Sequence, residues 1–284
     1  MIVRYDGTLT TLSPLHHGGD ENTGNVRLLR AVKMMQPNGR TVRIPLISGN
    51  AIRGVLRRKL TRDLLDRIEY TIESPKMHHA LYTGGVLEAS SDATAMMDIA
   101  FRRTLRDAIP PLELFGTAIG NQMISGCLTV NQALPICLES EAGLPPSLRT
   151  STTPKRSITD FTFTTRKDDL RDESIDSSQM IVEFEVFAIG VQFTHGFILR
   201  DPSPQAHAAF GRMIELWQGD PFVGGKIASG HGQLDISYPG APASAPYLDW
   251  VDEHRAVIVK ALNDLATRLG RAPKAEQSSL DLSA

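Results

Sequence analysis

The stretch Arg43-Ile-Pro-Leu-Ile-Ser-Gly-Asn-Ala-Ile-Arg-Gly-Val-Leu-Arg-Arg-Lys-Leu60 decides how this chain is read. A short apolar run ends at Ile47, and Ser48 and Asn50 are both suited to cap a helix start, with Gly49 allowing a sharp turn between them. Ile52, Val55, Leu56, Leu60 and Leu64 then recur at helical spacing, so a strand, a turn and a helix reaching about Ile68 are expected. Arg53, Arg57, Arg58, Lys59 and Arg62 cover much of the remaining surface. A helix start offers unpaired N–H groups and the positive end of a dipole, which suits a phosphate. The plainer reading is a solvated basic face.

Upstream, Ile2 to Leu12 alternates, with Val3, Tyr5 and Leu9 on one side, as a half-buried strand does. Ser13-Pro-Leu-His-His-Gly-Gly-Asp20 breaks that pattern, and the turn Pro37-Asn-Gly39 within a basic segment signals a hairpin. Downstream, residues 70–92 read as irregular, and 93–108 as a helix ended by Pro110-Pro111. A strand is expected over 127–133. The polar segment 139–178 reads as either a long projecting hairpin or a disordered loop. Strands over 181–188 and 193–199, antiparallel to each other, should precede a helix over 205–217 and the glycine loop Val223-Gly-Gly-Lys-Ile-Ala-Ser-Gly-His-Gly232. After a strand over 233–238, an Ala/Pro linker (239–246) leads to a helix over 248–269, and a polar tail beyond Gly270 has the composition of a disordered segment. This order points to an α+β fold, with a ferredoxin-like or RRM-like core carrying large insertions.

At 284 residues the chain can bury a full core, and its formal charge of -2 leaves room for local basic patches. No run approaches the ~18 apolar residues of a membrane span. The opening Met1-Ile-Val-Arg-Tyr-Asp6 is not signal-like, so no membrane partner and a cytoplasmic setting are expected. Cys127 and Cys137 alone suggest two buried free thiols rather than a disulfide framework.

For chemistry, His16-His17 with Asp20, and His78-His79, lack the spacing of a metal site, so neither a metal nor a cofactor is expected. A histidine acting as acid–base in RNA cleavage has no identified second group. The glycine loop fits neither a nucleotide-phosphate loop nor a dinucleotide fingerprint, and leads into a strand. Four basic segments (27–43, 53–67, 102–106, 149–171) in a near-neutral chain favour a groove that tracks a nucleic-acid backbone.

Four motifs in order resemble the RAMP superfamily of CRISPR-associated proteins, and more narrowly its Cas-seven-class backbone subunits. They are Ser13-Pro-Leu-His-His-Gly-Gly19, Ile44-Pro-Leu-Ile-Ser-Gly-Asn-Ala-Ile-Arg-Gly-Val-Leu-Arg57, Leu114-Phe-Gly116 before Leu128-Thr-Val130, and Gly224-Gly-Lys-Ile-Ala-Ser-Gly-His-Gly-Gln233. The resemblance covers most of residues 1–238. It implies an RRM-like palm over that span, with finger insertions at about 70–110 and a thumb hairpin at about 150–178. It further implies a guide RNA (crRNA) held by Ser48, Asn50, Arg53, Arg57 and His17, beside Gly224, Gly225, Lys226, Ser229 and His231. The thumb contact falls near Arg166 and Lys167. The partners implied are target DNA or RNA, further copies of the chain side by side, and other CRISPR effector subunits. Target-cleaving members carry an aspartate soon after the first glycine motif. No acidic residue stands between Gly24 and Val42, so a non-catalytic, type IV-like subunit is expected, with type III or type I as alternatives. The rival readings are a repeat-processing endoribonuclease using His16 or His17, and a target-cleaving backbone using Asp20.

Overall fold

A computed structural model describes residues 1–23, 26–85, 98–119, 122–149, 151–166 and 180–270. The first strand, β1 (Ile2–Thr11), buries Tyr5, Leu9 and Thr11 and exposes the alternate positions. Its neighbours come from far along the chain. They are β12 (Gln192–Arg200) on one side and β13 (Leu234–Ser237) on the other, both antiparallel. Strand β8 (Leu128–Val130) continues the sheet beyond β12, giving the order β13-β1-β12-β8.

The helix α1 (Gly49–Arg67) lies between β1 and β8 in sequence, and α5 (Pro204–Gly219) between β12 and β13. Strand, helix, strand, strand, helix, strand with this spatial order is the ferredoxin-like, RRM-like arrangement expected from the sequence. Ile52, Leu56, Leu60 and Leu64 of α1 are buried at i,i+4 spacing and share one core with Phe193, Phe197, Phe210 and Trp217.

Around this core sit the insertions. Strands β2 (Gly18–Thr23) and β3 (Val26–Leu29) join β10 (Thr159–Arg166) and β11 (Met180–Phe187) in a second sheet, ordered β10-β11-β3-β2. Strands β4 (Ala31–Met35) and β5 (Thr41–Pro45) form the hairpin signalled by Asn38-Gly39. Two short helices, α2 (Pro75–His78) and a π turn (His79–Thr83), precede α3 (Ile99–Ala108) and α4 (Pro110–Phe115). The hairpin β6 (Thr117–Ile119) and β7 (Gln122–Ile124) follows, and β9 (Leu134–Pro135) pairs with β12. Helices α6 (Ala245–Glu253) and α7 (Arg255–Gly270) close the described chain and contribute Tyr247, Val251, Ile258 and Leu262 to the core. No described helix is long and apolar enough to cross a membrane.

Several expectations are corrected. Residues 18–23 form a strand where glycines suggested a break, because β3 supplies a partner. Pro110-Pro111 begins α4 rather than only ending α3, since proline's missing N–H is harmless in a first helical turn. Strands β11 and β12 do not pair with each other. Gly190 (φ 85°) turns the chain, and Thr11 accepts its N–H at 2.8 Å, sending the two strands into different sheets. The single helix expected over 248–269 is two, broken at His254. The polar segment 139–178 contains 3-10 turns at Leu138–Gly143, Pro146–Leu148 and Lys155–Ser157, then β10. The expected helix start at 93–97 and the tail 271–284 lie outside the described residues.

His195 shows what the sheet demands of a polar residue. It is buried on β12, where the Tyr238 hydroxyl reaches Nδ1 and Nε2 meets the Asn131 carbonyl at 3.0 Å. Burial lowers its pKa to about 4, although the Asn131 carbonyl favours the protonated ring. The unfolded chain therefore binds more protons below pH ~6.5, and stability falls as pH drops from there toward 4, by on the order of 3 kcal/mol from this residue. Urea unfolding across pH 7 to 4 should show this loss, and His195→Gln, which takes up no proton, should flatten that part of the profile.

Candidate nucleic-acid interface

The four motifs meet through backbone, imidazole and guanidinium contacts. Ser48 caps α1, its hydroxyl accepting from the Ala51 N–H at 3.3 Å. Gly49 is needed here for space rather than for turning. A Cβ at this position would lie 2.3 Å from the Val130 carbonyl, where the helix start presses on β8. The Ser48 N–H donates to His17 Nε2 at 3.2 Å, and the Ser48 hydroxyl lies 3.1 Å from the same nitrogen. His17 is thus a neutral acceptor, with its ring proton on Nδ1. Burial lowers its pKa to about 4, and the charges of Arg30 and His16 push the same way.

Its neighbour His16 faces the other way. The Nδ1–H donates to the Glu185 carbonyl on β11 at 2.7 Å, and the ring meets Phe184 edge-on. Burial lowers its pKa too. The Glu185 carbonyl opposes the shift, and the charges of Lys226, Arg27 and His231 add to it. The His16 carbonyl accepts from the Gly225 N–H at 2.9 Å, and Pro14 from Gly232 at 2.9 Å, so the glycine loop is laced to the first motif at both ends. Gly224 (φ 92°) passes so close that a Cβ would sit 2.5 Å from the His16 carbonyl oxygen. The first motif thereby holds the helix start on one side and the glycine loop on the other.

Exposure separates the expected site residues. Asn50, Gly225 and Ser229 are exposed; Ser48, Gly224 and His231 are half-buried. His231 Nδ1 lies 3.1 Å from the Ser229 carbonyl. Lys226 is held over the Phe184 ring, its Nζ 4.1 Å from the centroid. Arg166 ends β10 and its side chain is not described; Lys167 lies outside the described residues.

The two arginines of α1 are not at the helix start. Arg57 is 4% exposed, and its Nη2 donates to the Phe115 carbonyl at 2.8 Å. Arg53 donates to the same oxygen, and the two guanidinium carbons lie 5.9 and 5.4 Å from the Phe115 ring centroid. Burial lowers both pKa values, that of Arg57 to about 10 with help from the charge of Arg53. The rest of the basic run is largely committed as well. Lys59 pairs with Asp220, Arg67 with Asp252, and Arg62 bonds Tyr82, whereas Arg58 stays exposed. Leu114-Phe-Gly116 thus reads as the dock for α1. Glu113 beside it is buried and accepts from both the N–H and the hydroxyl of Ser203, the residue that caps α5.

Arg27 and Arg30, which face the two histidines electrostatically, are the residues that sequence reading passed over. Arg27 is exposed on β3. They stood in a basic segment, and the pairing of β3 with β11, which sets Arg27 opposite Phe184, brings Arg27 near His16. Among the described residues no three His, Cys, Asp or Glu side chains gather as a metal site.

Arg57→Ala should therefore cost roughly 2–3 kcal/mol of stability in urea unfolding, because it strips a buried hydrogen bond and ring contact from the α1–α4 junction. Exposed Arg58→Ala should stay within about 0.5 kcal/mol of wild type.

No family model matches the chain, and no curated protein resembles it in sequence. Its fold is similar to that of a chain in a solved assembly titled "Type IV-B CRISPR Complex", with a TM-score of 0.62 and 22% sequence identity. The likeness covers 88% of this chain and 98% of that one, and at this identity it is a likeness of fold.

Proposed function

We propose that this chain is a non-catalytic, crRNA-binding backbone subunit of a CRISPR effector, lined up side by side with further copies along one guide and presenting it for pairing with a target. One observation carries the reading: the first motif joins the start of α1, where Asn50 is exposed, to the glycine loop, and exposed Arg27 lies close enough to act on His16. A helix start and cations suit a phosphodiester chain better than a single small anion. The fold likeness to a chain of a type IV-B CRISPR complex supports the same class of assembly.

Within this reading the contacts to RNA are made by Asn50, the Ser48–Asn50 helix start, Arg27 and the exposed face of Gly225 to Ser229, with His231 beside them. His17 positions Ser48. Arg53 and Arg57 hold α1 from behind. His17 is poorly suited to endoribonuclease chemistry, since its Nε2 lone pair is engaged by the helix cap and its pKa lies far below neutrality.

Arg27→Ala should weaken binding to single-stranded RNA about five- to tenfold at moderate salt and lower the slope of log K against log[salt] by about 0.7. Asn50→Ala should weaken binding without changing that slope. Wild-type affinity in both variants, measured by fluorescence anisotropy, would show that RNA lies elsewhere. Electron micrographs of the protein purified with its nucleic acid should show evenly spaced copies on RNA; isolated monomers on RNA would sink the side-by-side arrangement.

A further inference from the structure

The loop 223–232 passes through left-handed backbone conformations at Gly224, Gly230 and Gly232 (φ 92°, 82° and 85°), and also at Lys226 (φ 63°, ψ 29°). Glycine enters this region freely; lysine brings a Cβ that disfavours it. A residue held there persists only when its surroundings compensate, so the side chain of Lys226 is where to look. It crosses to the second sheet. Its ammonium lies 4.1 Å from the centroid of Phe184 on β11, and Nζ donates to Thr164 Oγ1 on β10 at 3.4 Å.

Phe184 pairs with Thr162 in the β10–β11 register, and Val182 with Thr164, so Phe184 and Thr164 are diagonal neighbours on one face of the hairpin. Phe184 is fully buried, with His16 at one side (5.1 Å between centroids) and His231 at another (5.7 Å). Two independent observations thus coincide at one residue: a non-glycine backbone conformation in the glycine loop, and a cation lodged on the hairpin's buried aromatic ring.

We propose that Lys226 is a positioning residue, a cationic latch that fixes the β10–β11 hairpin against the glycine loop before any ligand arrives. The latch itself stands on contacts within the protein. Its consequence for RNA rests on the reading above: loop and hairpin are held as one preassembled surface, so the ammonium aids binding through the hairpin rather than by touching a phosphate.

The test is hydrogen exchange on the RNA-free protein. Lys226→Gly keeps the backbone conformation accessible and removes the latch. Amides of 159–164 and 182–187 should exchange at least about tenfold faster, while those of β1 and β12 stay unchanged. Lys226→Arg, which can lie on the same ring, should restore protection. Wild-type protection of the hairpin in Lys226→Gly overturns the latch, whatever the protein binds. In the RNA arm, Lys226→Gly should lower affinity with an unchanged salt slope. A slope reduced by about 0.7 overturns the positioning role and makes Lys226 a direct phosphate contact.

Discussion

Two adjacent histidines tie the start of α1 at Ser48 to the glycine loop at Gly225, 177 residues further along the chain. The imidazole of His17 accepts the backbone N–H of the α1 cap, while the carbonyl of His16 takes the N–H of Gly225. Consecutive side chains on an extended backbone point to opposite sides, so the pair can serve two neighbours at once. Burial keeps the His17 ring neutral, which an acceptor facing an amide requires. The Nδ1–H of His16 adds a link to the second sheet through the Glu185 carbonyl.

The basic run of α1 changes meaning once the helix is packed. A row of arginines next to a helix start invites a phosphate-binding reading, yet only exposed guanidinia can meet a ligand. Arg53 and Arg57 turn inward to a carbonyl and an aromatic ring, and most of the others find acids or hydroxyls on neighbouring elements. Their role is to fix where α1 begins. Arg27 of β3 and Lys226 of the glycine loop act on His16, and Arg30 on His17. The division is physically sensible. A long flexible cation that must also anchor a helix is poorly placed to adapt to a moving polymer, whereas backbone N–H groups and residues at strand edges present fixed donors.

Much of the fold was legible because its elements obey local rules. Alternation marked β1 and β11, i,i+4 leucines marked α1, Asn38-Gly39 marked the hairpin, and Ser48 marked the helix cap. The palm's connectivity followed from their order. Pairing was less legible. Strands β11 and β12 are adjacent and both apolar, so antiparallel pairing was the natural guess, and the choice of separate sheets rests on Thr11 and Gly190 at a turn. Of the expected site, Ser48 and the glycine loop are each held by the first motif and Asn50 is exposed, while Arg57 is buried against Phe115.

The sequence by itself determined the periodicities, the caps, the turn chemistry and the grouping of four motifs in a fixed order, because these depend on residues within a turn or two of one another. Which cations face outward, which histidine nitrogen is free and which segment borders the glycine loop were decided only by the tertiary structure. Those properties depend on desolvation and on partners brought in from distant parts of the chain: a carbonyl at Phe115, a ring at Phe184, a cap at Ser48. At the stretch from Arg43 to Leu60, local rules set the strand, the turn and the helix, and packing decided that Arg53 and Arg57 hold Phe115 while Asn50 stays exposed.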